Sequence, residues 1–382
     1  SVAPRETQLQ GGSQDPYARP EDTQPTRRRT SQGVLYSDFV KEELQRLLVR
    51  SKARADTAFE NGCHDDRVRH RNWLSSINSD SGAWLSAGAS PKMFEMSNNE
   101  FVSAVCRRNT VEDPTIPKYT ASMSREDPQN FQCACDGSSQ SKRIDPYGYH
   151  LVGCRIGANA IRLHDEVVAT VAKLFRTLRL DAIVEPTRLF NNPDEDASSQ
   201  RPDIFIRNPR GLGRQVIIDV AVTGVNGQSR TSDEATDRPL QTRYDQKMAK
   251  YGRVAEQCNL RFIPAVFSHT GQTHGMFKAF VKEQIIQKLV AFEGDPKPSK
   301  INSIMKWWSR CISVAIAKTA SRNVAFKVAK MREAIMEGQD EFLMRNTECA
   351  DVDMYANNRA HLEDVAQNAD LYIANQAVSS QP

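Results

Sequence analysis

The chain predicts an α/β fold in which a mixed sheet is flanked by helices. Three observations carry that expectation. From residue 159 the segments run helix, strand, strand, strand, helix, strand, helix. The strands are separated by polar loops, NNPDEDASSQ and the Gly/Ser/Thr/Asp-rich stretch 224–240. QVIIDVAVT alternates strictly, with Val216, Ile218, Val220 and Val222 on one face and Ile217, Asp219, Ala221 and Thr223 on the other. With 382 residues, 39% hydrophobic and 26% charged, the chain has enough apolar surface for a real core and room for two or three domains.

Taken in order, residues 1–37 are Gln, Ser, Pro, Arg and Thr with almost no aliphatics. They bury too little to offset the entropy of ordering and are expected to form a disordered arm. Residues 38–125 read as a helical lead-in. FVKEELQRLLVR sets Phe39, Leu44, Leu47 and Leu48 near one side of a helix, and SNNEFVSAVCRR opens on Ser97 as a cap with Phe101, Val102 and Val105 as its stripe. WLSSINSDSGAWLSAG between them reads as a connector whose two tryptophans pack on their neighbours. HDD at 64–66 falls in what reads as a polar loop without a strand, so it does not qualify as a polymerase-type carboxylate pair.

Residues 126–157 hold a candidate metal knuckle, and 158–295 the α/β core. In that core a helix runs from Asn159 to Leu178, with His164, Val168, Val171 and Phe175 on one face. His164 reads as a core histidine bonding a backbone group, the alternative being contact with a metal site or phosphate. Residues 296–338 form a basic amphipathic extension with Trp307 and Trp308. It reads either as a backbone-tracking surface whose indoles stack on bases or as a helical pair docking its aromatics on the core. Residues 339–382 are an acidic tail, expected to be disordered.

That tail carries eight acidic and two basic side chains, which leaves the preceding residues at +10 against +4 overall. A basic body points toward a polyanionic partner, or merely to a solvated basic surface. No apolar run approaches the ~18 residues that span a bilayer, so no membrane partner is expected. The start, SVAPRE, has neither a hydrophobic core region nor an initiator Met, and the chain is expected to be a piece of something larger.

Of eight cysteines, Cys133, Cys135 and Cys154 fall within 22 residues, a clustering that suits metal ligation under reducing conditions rather than a disulfide framework. Cys133-x-Cys135, fourteen residues, His150, three residues, Cys154 supplies three thiolates and an imidazole. That satisfies tetrahedral Zn2+ with no open position, hence a structural site; the alternative is a free Cys pair beside an unrelated His.

The segment from Gln200 to Tyr251 concentrates the chemistry. RPDIFI and QVIIDVAVT each carry one acidic residue, Asp203 and Asp219, and YDQKMAKY adds Lys247 and Lys250, three apart on one side of a helix. Two carboxylates on neighbouring strands can hold Mg2+, and a lysine beside them can stabilise charge on a phosphate and assist the attacking water. Glu185, in VEPT, is a candidate third carboxylate or only a strand end. Singly, Asp203 also fits a turn after Pro202 and Asp219 a salt-bridged edge position; the set together points to metal-dependent phosphodiester cleavage.

The ordered series CxC, HxxxC, RLH, EP, RPDI, DVAVT and KxxKY, preceded by WLSAG and SNNEFVSAVCRRN, resembles the C-terminal region of non-LTR retrotransposon polyproteins that carry a zinc knuckle and a restriction-like endonuclease. The resemblance spans roughly residues 73–290. It implies a restriction-endonuclease-like fold of the PD-(D/E)xK superfamily, with a small zinc knuckle and helical extensions, that nicks target DNA to prime reverse transcription. On that comparison Asp203 matches the PD carboxylate, Asp219 the second acid, and Cys133, Cys135, His150 and Cys154 the knuckle. The usual third-motif lysine falls at Ala221, so its role passes to Lys247 or Lys250 on the following helix. The knuckle has a longer middle spacing and a shorter last one than the usual pattern. The resemblance further implies Mg2+ and Zn2+ as cofactors, DNA and the element's own RNA as partners, and a nuclear location. No strand-borne YxDD occurs, so a reverse transcriptase is expected upstream in the same polyprotein rather than in this chain. The other expectation is a catalytically inactive nucleic-acid-binding module of the same fold.

Overall fold

The computed structural model describes residues 64–87, 92–116, 145–154, 158–186, 201–211, 213–224 and 237–336, together with single helical residues between 42 and 60. Two compact units are present, one ending at Ser51 and one beginning at Lys52. Residues 42, 45–47, 49 and 50 of the first are helical. The expected arm at 1–37 and acidic tail at 339–382 lie outside the described residues.

The second unit is mixed α/β. Helices α1 (His64–Ser76), α2 (Asn98–Arg108) and α3 (Tyr149–Gly153) lead into α4 (Asn159–Thr177). Strands β1 (Ala182–Val184), β2 (Ile204–Ile206) and β3 (Val216–Thr223) follow, then α5 (Arg238–Gln257), β4 (Arg261–Ser268), α6 (Gly275–Glu293) and α7 (Pro298–Met336). The four strands form one sheet in the order β1-β2-β3-β4. The first two pairings are antiparallel, and β3 with β4 is parallel. A parallel pair requires a crossover, and α5 supplies it. Pro264 cannot donate to a ladder and sits on β4, an edge strand, opposite Asp219 of β3.

Period-two alternation sorts the sheet residues as the sequence predicts. Val216, Ile218 and Val220 face the large core built with α4, α6 and α7, while Ile217 packs with Tyr251 and Ala255, and Ala221 with Leu240 and Val266, on the α5 side. The large core runs from Trp84, Phe94 and Ile116 through Val171 and Phe175 to Val324 and Val328. Residues of the expected lead-in, α/β core and extension therefore share one interior.

Within the expected 296–338 extension, Pro298–Met336 form one 39-residue helix rather than a helical pair. Trp307 and Trp308 are each 2% exposed, and Trp308 meets Phe175 edge-on at 5.0 Å. Their indoles are core and do not stack on bases, which corrects the surface alternative: each ring buries far more apolar area against Phe175 and its neighbours than solvent exposure allows. Lys327 is fully buried, Arg322 pairs with Glu100 at 2.6 Å, and Arg310 donates to Ser86 Oγ at 3.0 Å. Lys306, Arg322 and Lys330 remain on the exposed side of the helix, with Arg310 and Lys318 half-exposed.

Two polar clasps lock α7 in place. Asn159 Nδ2 donates to the carbonyls of Leu151 and Asn323 (2.9 and 3.3 Å), and Asn323 Nδ2 donates back to the Asn159 carbonyl at 2.7 Å. Buried Arg107 donates to Ser103 Oγ and Ser321 Oγ, both at 2.7 Å. Polar groups buried at this depth must be bonded, so the clasps fix register as well as contact. HDD lies in the first turn of α1 rather than in a loop. Among the described residues, no helix is long and apolar enough to cross a membrane.

Replacing Trp308 by Ala is expected to cost about 3–5 kcal/mol of unfolding free energy, by loss of transfer energy plus the cavity left behind. Lys306→Ala, on the exposed side of the same helix, should stay within about 0.5 kcal/mol. Urea denaturation of the two variants against the parent protein checks both.

Candidate functional site

The register Ile204↔Ile218, Phe205↔Ile217, Ile206↔Val216, continued by one residue, sets Asp203 opposite Asp219 across the β2–β3 boundary. Asp219 belongs to a strand flanked on both sides and is 3% exposed, so it is not an edge position. Its neighbours on the α5 side are Ile217 and Ala221, both buried. An ionised carboxylate among such groups requires a cation.

Lys247 of α5 supplies one, with its Nζ in contact with Asp219 Oδ2 and its side chain largely buried. The helix face is set by packing. Tyr244 lies against Ala221, Leu240 and Val266, and Tyr251 against Phe262. Lys247 falls between these rings at i+3 and i−4 and so points at the sheet. Lys250 is exposed, its ammonium 4.8 Å from the Tyr251 ring centre. Of the two lysines, the structure brings Lys247 to the carboxylates and leaves Lys250 outside.

Asp203 accepts from the Val220 backbone N–H at 2.5 Å and lies 3.2 Å from His164 Nε2. His164 Nδ1 is 3.0 Å from Asp165. Of the two roles its sequence allows, His164 does not take the backbone-bonded one: it meets two carboxylates, one of them the candidate metal ligand Asp203. Its spacing in RLH was visible, but nothing in the pattern distinguished a carboxylate from a carbonyl as partner.

Electrostatics follow from these contacts. Burial first, and then the charge of Asp203, push the Asp219 carboxyl above its ordinary pKa, against the pull of Lys247 and His164. Burial acts to lower the His164 pKa, but the hydrogen bonds and charges of Asp165 and Asp203 outweigh it and raise it to about 10. Two carboxylates and two cations thus lie near enough at the β2–β3 boundary to act on one another's charge, the cations coming from helices on opposite faces of the sheet.

Glu185 ends β1 beside Asp203, its backbone, at φ 46, donating to the Asp203 carbonyl. Its side chain is 65% exposed and 3.5 Å from Arg201.

Asp203 and Asp219 fit a divalent ion of the Mg2+ type, which typically takes one or two carboxylates and completes its shell with water and substrate oxygens. The observation favouring it is the buried, charge-repelled Asp219. Among the described residues, no group of three or more His, Cys, Asp or Glu is arranged to hold a metal by itself.

For the knuckle, Cys133 and Cys135 lie outside the described residues. His150 and Cys154 are one helical turn apart on and after α3, and Cys154 is 4% exposed. The turn before α3 is tightly built. Asp145 accepts the N–H groups of Tyr147, Tyr149 and His150 at 3.0, 3.0 and 2.8 Å. Gly148 takes φ 77 where a Cβ would meet Val324 at 3.1 Å. Among the described residues, Cys106, Cys154, Cys258 and Cys311 form no disulfide.

The chain matches no protein-family model and no curated protein.

A raised His pKa stabilises the folded state fully below the unfolded value of 6.5 and is lost as pH rises through about 10. Stability of the metal-free protein should therefore decline across that window, and His164→Gln should flatten the decline. Chemical denaturation at stepped pH measures it; an unchanged slope in the variant contradicts the His164–Asp203 pair.

Proposed function

We propose that this protein is a Mg2+-dependent DNA endonuclease of the restriction-like, PD-(D/E)xK type, derived from a non-LTR retrotransposon and nicking target DNA so that a reverse transcriptase can extend the free end. The single observation that carries the proposal is that Asp203, Asp219 and Lys247, distant in sequence, lie together at the β2–β3 boundary, Lys247 paired with Asp219 and Asp203 opposite it in register. A four-stranded mixed sheet with helices on both faces is compatible with that reading.

In this reading Asp203 and Asp219 would hold the metal, which when bound supplies Lewis-acid polarisation of the scissile phosphate and an activated water. Lys247 acts on the phosphate: its ammonium, already desolvated beside Asp219, is preorganised to meet the negative charge that builds on the non-bridging oxygens. The Val220 N–H and His164 hold the Asp203 carboxylate in one orientation. The Cys133, Cys135, His150 and Cys154 set would hold Zn2+ as a folding staple with no part in cleavage.

Asp203→Asn, Asp219→Asn and Lys247→Met are each expected to lower Mg2+-dependent nicking of supercoiled plasmid at least ~100-fold, the scale of losing one transition-state electrostatic group. DNA binding in a gel-shift assay should persist in all three. Lys250→Ala and Glu185→Gln should retain activity within about threefold, as residues outside the pocket do. DNA binding without nicking by the parent protein in Mg2+ or Mn2+ would favour the inactive binding module instead, and undiminished nicking by Asp203→Asn would remove the site assignment.

A further inference from the structure

A cavity with both apolar and polar walls, Trp84, Tyr149 and Val152 among the apolar ones, lies at the carboxyl ends of the parallel strands β3 and β4. His269, the first residue after β4, donates its N–H to the carbonyl of Thr223, the last residue of β3, at 3.0 Å. Crevices outside the carboxyl ends of parallel strands are where open α/β sheets receive ligands. The cavity, of about 40 Å³, is lined by Arg107, Arg108, His269, Thr270, Ser76 and Ser81 among others, and none of its lining residues is a carboxylate. A water needs roughly 10–15 Å³ on this scale, so the space suits about three waters or one tetrahedral oxyanion.

The charge on its walls is not balanced. Arg107 is fully bonded to Ser103, Ser321 and the Ala317 carbonyl, and has the charges of Asp113 and Asp145 near it. Arg108 is different. It is half-buried, donates from Nη1 to the Ser76 carbonyl, and burial alone shifts its pKa downward. Among the described residues no carboxylate lies within ion-pair distance of it. Half-buried and bonded to a carbonyl, the guanidinium keeps further N–H donors with which it can meet an oxyanion.

The hydroxyls are grouped to help. Thr270 Oγ1 lies 2.6 Å from Ser75 Oγ, 3.2 Å from Ser81 Oγ and 2.7 Å from Ser268 Oγ, a cluster whose protons can reorient toward an acceptor.

Two glycines keep the walls close. A Cβ on Gly82 would meet Arg108 Nη2 at 2.9 Å, and one on Gly153 would meet the His269 ring at 2.5 Å. Both side chains press on backbone that only glycine leaves open.

We propose that this cavity is a binding site for a tetrahedral oxyanion of the phosphate class, held by Arg108 with Arg107 behind it and by the Thr270 hydroxyl cluster. Such a group is available as free phosphate or as the terminal phosphoryl of a nucleic-acid end. The site is separate from the Asp203–Asp219 pocket and does not depend on the nuclease reading. Its test therefore runs in EDTA and without cleavage.

Inorganic phosphate titrated into the whole chain, against KCl at matched ionic strength, should raise the unfolding temperature saturably and give a binding isotherm by calorimetry. Arg108→Gln should weaken that affinity about tenfold or more, the loss of one charge-assisted contact to an anion. Gly82→Ala offers a gentler second variant: Gly82 has ordinary helical dihedrals, φ −88 and ψ −4, so the added methyl displaces only the end of the Arg108 side chain and should weaken phosphate to a similar degree. Lys306→Ala should bind as the parent does. Competition by a 5′-phosphorylated dinucleotide, but not by its unphosphorylated form, assigns the phosphoryl to a nucleic-acid end; phosphate binding without that competition assigns it to the free ion. Chloride matching phosphate, or undiminished phosphate affinity in both Arg108→Gln and Gly82→Ala, overturns the proposal.

Discussion

A carboxylate in the middle of a buried strand is the constraint around which the rest of the structure is arranged. Asp219 is enclosed by Ile217 and Ala221 along its own strand and by β2 and β4 beside it. In that position an uncompensated charge either neutralises by taking up a proton or finds a cation, and burial accordingly raises the Asp219 pKa. The crossover helix resolves it. Joining two parallel strands requires a helix over one face, and α5 carries Lys247 at the one rotation between Tyr244 and Tyr251 that reaches the acid. Topology and charge compensation are thus met by the same element.

Rigidity comes from the other face. α4 holds His164 against Asp203, and α4 is itself pinned by Phe175 on Trp308, by the reciprocal Asn159–Asn323 bonds, and at its far end by Lys288 donating to the Thr177 carbonyl at 2.7 Å. A helix fastened at both ends positions a side chain far better than a loop does. The 39-residue α7 therefore bears on the site without touching it: it sets where α4 lies, and α4 sets where His164 points.

Much of this was legible in the residues. Period-two alternation put Asp219 on the face it occupies, and the two polar loops marked the strands correctly. The acid pair and the lysine helix were recognisable because their chemistry is rare in that order. Other features were not legible for specific reasons. Lys247 and Lys250 are three apart, and only the docking of Tyr244 and Tyr251 decides which turns inward. His164 could be satisfied by any acceptor, and its partner depends on how α4 crosses the sheet. Trp307 and Trp308 sit among lysines and arginines, so a basic surface and a buried seam look alike until the neighbouring Phe175 is in place. HDD reads as loop because its charged residues lack apolar periodicity, yet the first turn of a helix tolerates them. Cys133 and Cys135 lie outside the described residues, so the knuckle rests on spacing.

The claim on which the functional account turns is that Asp203 and Asp219 together form a seat for one divalent ion. Calorimetric titration of Mn2+ into the whole chain measures this directly. The account requires one saturable site, lost when either Asp203 or Asp219 becomes Asn and kept when Glu185 becomes Gln. Equal Mn2+ binding by the parent protein and the Asp219→Asn variant would contradict it.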